Sequence, residues 1–210
     1  MSSFKTKQES FWAGEFGNNY ILRSKEKDIL ASNINLFSNI IKRTVDVNSV
    51  IEFGANIGFN LLAIKNILPN IAVSGVEINQ KACKYLIKIC GEKNTYHDSI
   101  LDFKVDYKRD LSLTKGLLIH INPDYLQKVY ELLYLSSKKY ICIAEYYNPT
   151  PVMVSYRGFN DRLFKRDFAG EILDKYNNLT LVDYGFIYHR DKNFPQDDIT
   201  WFLLEKNQNK

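Results

Sequence analysis

From residue 48 onward, short apolar runs rich in β-branched residues alternate with segments whose apolar positions recur at helical spacing. Val50-Ile51-Glu52-Phe53 has the length and composition of a buried strand. It turns at Gly54 into a segment with Leu61, Leu62, Ile64, Ile67 and Leu68 along one side, stopped by Pro69. A second strand is predicted over Ala72–Ile78. A helix follows from Asn79, whose side chain can accept from free backbone N–H groups, to Cys90. The pattern then predicts a weak strand over Thr95–Asp98, another over Leu111–Thr114 and a strong one over Tyr140–Glu145. Between the last two, Asn122-Pro123-Asp124 opens a helix that reaches Leu135, with a capping residue and Pro at the first helical position. Residues 146–166 show neither period and read as a long irregular stretch. A helix over Asp167–Tyr176 follows, and two strands, Thr180–Tyr188 and Ile199–Glu205, are separated only by a loop and can pair antiparallel.

Strand alternating with helix implies an α/β fold with a mostly parallel sheet and helices on both faces. At 210 residues the chain suits one domain. Residues 1–45, helical in pattern from Lys25 to Lys42, are expected to cap it. Residues 48–145 are expected to form a cofactor-binding half, and 146–210 a substrate loop and closing hairpin. With 45% apolar residues the chain can bury a core, and its net charge of +4, with the signs mixed, argues against nucleic acid as a partner. No run approaches the roughly 18–20 apolar residues of a membrane span, and Met1-Ser2-Ser3-Phe4-Lys5 lacks a secretion signal, so a cytoplasmic location is expected. Cys83, Cys90 and Cys142 form no C-x-x-C pair, which points to reduced thiols and to neither disulfides nor zinc.

The chemistry concentrates at Glu52-Phe53-Gly54-Ala55-Asn56-Ile57-Gly58. A strand that ends in small residues and turns at once into a helix aims backbone N–H groups and the helix's positive end at a ligand. A dinucleotide fingerprint would read G-x-G-x-x-G, whereas here the spacing is G-x-N-x-G with Phe59 in the last glycine's place, which weakens a nicotinamide reading. No Gly-Lys-Ser or Gly-Lys-Thr follows, so a P-loop is excluded. The second predicted strand ends at Gly75-Val76-Glu77-Ile78-Asn79, about 20 residues past the turn, where a carboxylate accepts from ribose hydroxyls in doubly wound folds. Asp98-Ser99 ends the next strand, where it can meet an adenine edge.

In this order and spacing the segments resemble class I S-adenosylmethionine-dependent methyltransferases, with Asn56 departing from the usual central glycine. The resemblance implies a Rossmann-like fold, a mostly parallel seven-stranded sheet with an antiparallel last strand, and S-adenosylmethionine as cofactor. It implies cofactor contacts from Glu52, Gly54, Ala55, Asn56, Gly58, Glu77, Ile78, Asp98, Ser99 and Gly116. Trp12, Phe16, Tyr20 and Arg23 would fold over the cofactor, with an aromatic near the sulfonium and Arg23 on the methionine carboxylate, Phe16 and Tyr20 alternatively packing an N-terminal helix. Longer strings narrow the resemblance. Phe11-Trp12-Ala13-Gly14-Glu15-Phe16-Gly17, Leu118-Ile119-His120-Ile121, Glu145-Tyr146-Tyr147-Asn148-Pro149-Thr150-Pro151, Tyr156-Arg157-Gly158, Leu163-Phe164-Lys165-Arg166-Asp167-Phe168-Ala169-Gly170 and Phe194-Pro195-Gln196-Asp197-Asp198 look like the pseudaminic acid biosynthesis-associated methylases. That implies methyl transfer in bacterial surface-glycan synthesis to a small sugar-type acceptor, a nonulosonic acid, its nucleotide-activated form or a precursor.

If the acceptor is a hydroxyl, a base must take its proton, and His120 is the first candidate, against a role in shaping the site. Glu145, at the end of the fifth strand, is the second. The alternative there is that Tyr146 and Tyr147 simply floor the substrate loop. Asn148-Pro149-Thr150-Pro151 follows the fifth strand rather than the fourth, and so reads as a rigid turn rather than an amino-methylating motif, with Asn148 near substrate. Arg157, Arg162, Lys165 and Arg166, with Tyr156, suit an acidic acceptor, or else pair with Asp161 and Asp167. His189, Asp191, Asp197 and Asp198 lack a second histidine at ligand spacing and read as loop contacts, His189 toward substrate, rather than as a metal site. Two rival readings are a cofactor-binding scaffold without catalysis and a nicotinamide-dependent oxidoreductase.

Overall fold

The structure, a computed structural model, describes residues 4–23 and 27–207. Three helices, α1 (Lys7–Ala13), α2 (Glu15–Arg23) and α3 (Lys27–Ile41), precede the first strand. Then follow β1 (Ser49–Phe53), α4 (Phe59–Ile67), β2 (Ala72–Glu77), α5 (Gln80–Cys90), β3 (Thr95–His97), β4 (Arg109–Lys115), α6 (Leu126–Ser136) and β5 (Ser137–Glu145). The chain ends with β6 (Val152–Tyr156), β7 (Phe159–Lys165), α7 (Phe168–Lys175), β8 (Leu179–Ile187) and β9 (Ile199–Lys206). Seven strands form one sheet in the order β3-β2-β1-β4-β5-β9-β8. The pairings among β3, β2, β1, β4 and β5 are parallel, and β9 runs antiparallel between β5 and β8.

Alternation along the strands sorts the core into two layers. Val50, Leu111, Leu113 and Cys142 face α3 and α4, meeting Leu36, Phe37, Ile40, Leu61 and Ile64. Ile51, Phe53, Ile141 and Ile143 face α6 and α7, meeting Val129, Tyr130, Leu133, Phe168 and Ile172. Helix α3 thus belongs to a layer covering the sheet, and only α1 and α2 lie over its carboxyl edge. All three cysteines are buried and free.

Several local expectations meet their physical cause. The Asn79 side chain accepts from Ala82 N–H at 3.0 Å and caps α5. The predicted Asn122–Leu135 helix starts as a 3-10 turn over Pro123–Tyr125 before α6 proper. The stretch over 146–166 is not irregular. It carries the β6–β7 hairpin, whose two-residue turn, Arg157 and Gly158, takes φ of 52° and 84°, the mirror-image turn that suits strand twist. Arginine in a position that favours Asn or Gly hid the hairpin from the pattern.

Among the described residues no helix is long and apolar enough to cross a membrane.

Candidate active site

A cavity of about 660 Å³ opens over the carboxyl ends of β1, β2 and β4, a volume in the range of small-molecule sites. Its floor is the turn after β1. The N–H groups of Gly54 and Ala55 both bond to the Val76 carbonyl, and Gly58 N–H closes onto Ala55. Gly54 sits at φ 71°, and a Cβ there would come within 2.7 Å of Leu117. Asn56 lies at φ 47°. Asparagine is among the few residues that enter this left-handed region readily, so it does the conformational work of the glycine it replaces.

Glu77 ends β2 with its carboxylate already oriented: Asn56 N–H and Asn79 N–H each donate to it at 2.7 Å. Burial raises its pKa, and the two backbone donors pull the other way. Glu77 and Ile78 line the cavity with Gly54, Ala55, Asn56 and Gly116, and Ser99 marks the β3 end. The Ser99 hydroxyl bonds to Glu9 of α1, a residue the sequence reading did not single out. Asp98 is turned away, receiving the Ser99 N–H, and Gly58 starts α4 below the wall. Glu52 does not reach the cavity either. It is fully buried, accepts from Asn60 Nδ2 at 2.6 Å and has a second oxygen without a partner. Burial pushes its pKa up to about 8.

At the other end lie His120, Tyr146, Tyr156, Arg157, His189 and Asp197. His120 Nδ1 is 2.6 Å from the Arg162 carbonyl. A carbonyl only accepts, so Nδ1 carries the proton and Nε2 keeps its lone pair. The ring packs against Trp12 and Tyr156, 4.7 and 5.1 Å between centroids, and burial lowers its pKa to about 4. The Trp12 indole N–H, also at the cavity wall, has no partner.

Other candidates sit elsewhere. Glu145 does not line the cavity; its carboxylate accepts from Leu117 and Leu118 N–H at 3.0 Å each and pins the turn after β4, which corrects its reading as a base. Tyr147 is exposed and packs on Phe202, and Asn148 bonds back to the Thr150 carbonyl. The basic run divides. Arg157 lies at the cavity, Arg162 stacks over Phe11 and Phe159, Lys165 lies over Tyr146, and Arg166 pairs with Glu171 at 3.1 Å, away from the site. The Arg23 side chain lies outside the described residues. His189 is held by Asp198 at 2.9 Å. Among the described residues no group of three His, Cys, Asp or Glu is arranged to hold a metal. Lys115, last in β4, lines the cavity and was missed, although a lysine ending a buried strand is itself a signal.

Helix α1 roofs this cavity. Lys5, just before it, pairs with Asp102, and Gln8 Nε2 donates to the Asp161 carbonyl at 2.8 Å. Phe11 meets Phe159 of the hairpin, and Asn79 Nδ2 donates to the Trp12 carbonyl. The tight α1–α2 corner demands Gly17, where a Cβ would lie 1.8 Å from that carbonyl.

No protein-family model and no curated protein matches the chain. Solved structures do. The Burkholderia thailandensis 1,6-didemethyltoxoflavin-N1-methyltransferase, with its substrate and S-adenosylhomocysteine bound, is 14% identical with a TM-score of 0.69, covering 95% of this chain and 87% of its own. A Leishmania major S-adenosylmethionine-dependent methyltransferase gives 14% and 0.69, covering 96% and 82%. The Synechocystis magnesium protoporphyrin IX methyltransferase, with S-adenosylhomocysteine bound, gives 11% and 0.66, covering 97% and 100%. The chain has the Rossmann-like class I methyltransferase fold.

Proposed function

We propose that the protein is a methyltransferase that uses S-adenosylmethionine and acts on a small polar acceptor, in the finer reading a nonulosonic acid sugar, its nucleotide-activated form or a precursor. The single observation that carries the cofactor reading is Glu77. A buried carboxylate fixed by two backbone N–H groups on the cavity floor, beside a left-handed Gly-x-Asn-x-Gly turn, suits a ribose diol. Asn56 and Ile78 would flank the nucleoside, with Ser99, Ile100 and Leu101 toward its base. When bound, the cofactor supplies an electrophilic methyl group.

What the chain supplies is position and a proton acceptor. The cavity wall presents Trp12, Tyr146 and Tyr156 to a bound ligand, and alignment alone is worth roughly 7–11 kcal/mol in well-oriented intramolecular reactions. His120, neutral at physiological pH and with Nε2 free of its Nδ1 anchor, can accept an acceptor hydroxyl's proton. Arg157 at the rim favours an acidic acceptor, in keeping with the resemblance that runs from Phe11 to Lys206.

Calorimetric titration of S-adenosylhomocysteine into wild type and Glu77→Ala tests the reading. Micromolar binding by wild type is expected, with roughly 1–3 kcal/mol lost in the variant. Equal binding by both proteins removes Glu77 from the site. An absence of binding to wild type refutes the cofactor assignment.

A further inference from the structure

Lys115 closes β4 on the α3–α4 side of the sheet, in the alternation set by the buried Leu111 and Leu113. It lines the cavity, yet it makes no hydrogen bond and no ion pair within 4 Å to any described residue. Its ammonium, half-buried at the cavity wall, has no hydrogen-bonded counter-ion, and a charge left open in a cleft is a place where a ligand's opposite charge can complete it. The acids facing it are Glu52, which keeps its proton at neutral pH, with Asp197 and Glu145, and burial lowers the Lys115 pKa. Glu52 accepts from Asn60 and Glu145 from the Leu117 and Leu118 amides, each through Oε1 alone, and neither bonds to Lys115. Asp197 stands on the β8–β9 loop, where its neighbour Gln196 donates to Asn33 Oδ1 of α3 at 3.0 Å and holds the loop against the wall. One cation ringed by acids and amides disfavours a doubly charged phosphate. It suits a singly charged carboxylate, above all one that carries an ammonium group to set against Asp197.

We infer that Lys115 is the counter-ion for the carboxylate of a bound ligand, in a polar recess between β4, α3 and the β8–β9 loop. The carboxylate has two possible sources, the amino-acid end of the cofactor and an acidic acceptor. The inference rests on the cofactor reading above.

Three ligands separate the cases when titrated calorimetrically into wild type, Lys115→Met and Lys115→Arg, with thermal melts to verify folding. They are S-adenosylhomocysteine, 5′-methylthioadenosine, which keeps the nucleoside and thioether but lacks the amino-acid end, and N-acetylneuraminate added to the S-adenosylhomocysteine complex. Lys115→Met is expected to lose about 10–100-fold for a carboxylate ligand and nothing for 5′-methylthioadenosine, with Lys115→Arg holding within about threefold of wild type. Loss confined to S-adenosylhomocysteine assigns the carboxylate to the cofactor; loss confined to N-acetylneuraminate assigns it to the acceptor. Equal loss for 5′-methylthioadenosine, or no loss for either carboxylate ligand, overturns the inference while the cofactor reading stands. Failure of wild type to bind either nucleoside ligand overturns both. Should Lys115→Met not fold, Lys115→Gln takes its place with the same expected loss, and equal weakening for the two nucleoside ligands, or none for either carboxylate ligand, counts against the inference.

Discussion

At the β1–β2 end of the cavity the groups facing a ligand are main-chain amides and one carboxylate that those amides already hold, all within two tight turns of the sheet. At the β4–β5 end they are rings and long side chains carried by a 3-10 turn, a two-stranded hairpin and a loop, and they touch one another through aromatic contacts as much as hydrogen bonds. The first end is set before any ligand arrives, because backbone bonds in a buried sheet leave few alternatives. The second is set by side-chain packing, which tolerates variation. A fold that serves many acceptors with one cofactor needs that division: the common part lies in the backbone, the particular part in the loops.

The sharpest way to break the comparison is at His120. His120→Asn keeps a donor for the Arg162 carbonyl but removes the Nε2 lone pair. Methyl transfer under single-turnover conditions is expected to slow about 10²–10⁴-fold while S-adenosylhomocysteine affinity holds. With its pKa near 4, the wild-type rate should show no histidine inflection between pH 6 and 7. An unchanged rate would leave His120 a packing residue.

A smaller effect is expected in stability at the other end. The Glu52 carboxyl ordinarily titrates near 4.5 and is raised to about 8 in the folded protein. Between those values the native state keeps a proton that the unfolded chain has released, so stability falls as pH rises through that window. Glu52→Gln, which can still accept from Asn60, removes the dependence. It should match wild type near pH 4.5 and exceed it by about 1–3 kcal/mol at pH 8 in denaturant titrations. His120, buried neutral, acts oppositely below pH 6.5 in both proteins and cancels from the difference. A gap that does not grow with pH would show that Glu52 is ionised in the folded state.

The smallest effect belongs to Asn56. In the left-handed region an alanine costs about 1 kcal/mol more than asparagine, a drop of roughly 2–4 °C in melting temperature, whereas Asn56→Gly should stay close to wild type. If alanine melts with glycine, the turn's conformation is not what asparagine serves.

The same division explains what could be read in advance. Strand period, helix caps at Asn79 and Asn122, and the Gly54–Gly58 spacing are local, and they foretold the sheet and its turns. The hairpin over 152–165 escaped because its turn uses Arg157, and the position of Glu145 escaped because its partner, the Leu117 amide 28 residues away, carries no mark in the local pattern; Arg166 and Asn148 instead bond within five residues, to Glu171 and to the Thr150 carbonyl. Lys115 was overlooked for a related reason. Its lack of a partner is a property of the folded molecule.

Helix α1 is fastened at both ends of the cavity at once: through Glu9 and the adjoining Lys5 to Ser99 and Asp102, and through Gln8 and Phe11 to Asp161 and Phe159. The proposed cofactor and acceptor would therefore share one mechanical element. If seating one of them stiffens or loosens that helix, the affinity for the other changes, and linkage requires the influence to be equal in both directions. Cooperativity between the two sites then becomes a property of a single helix.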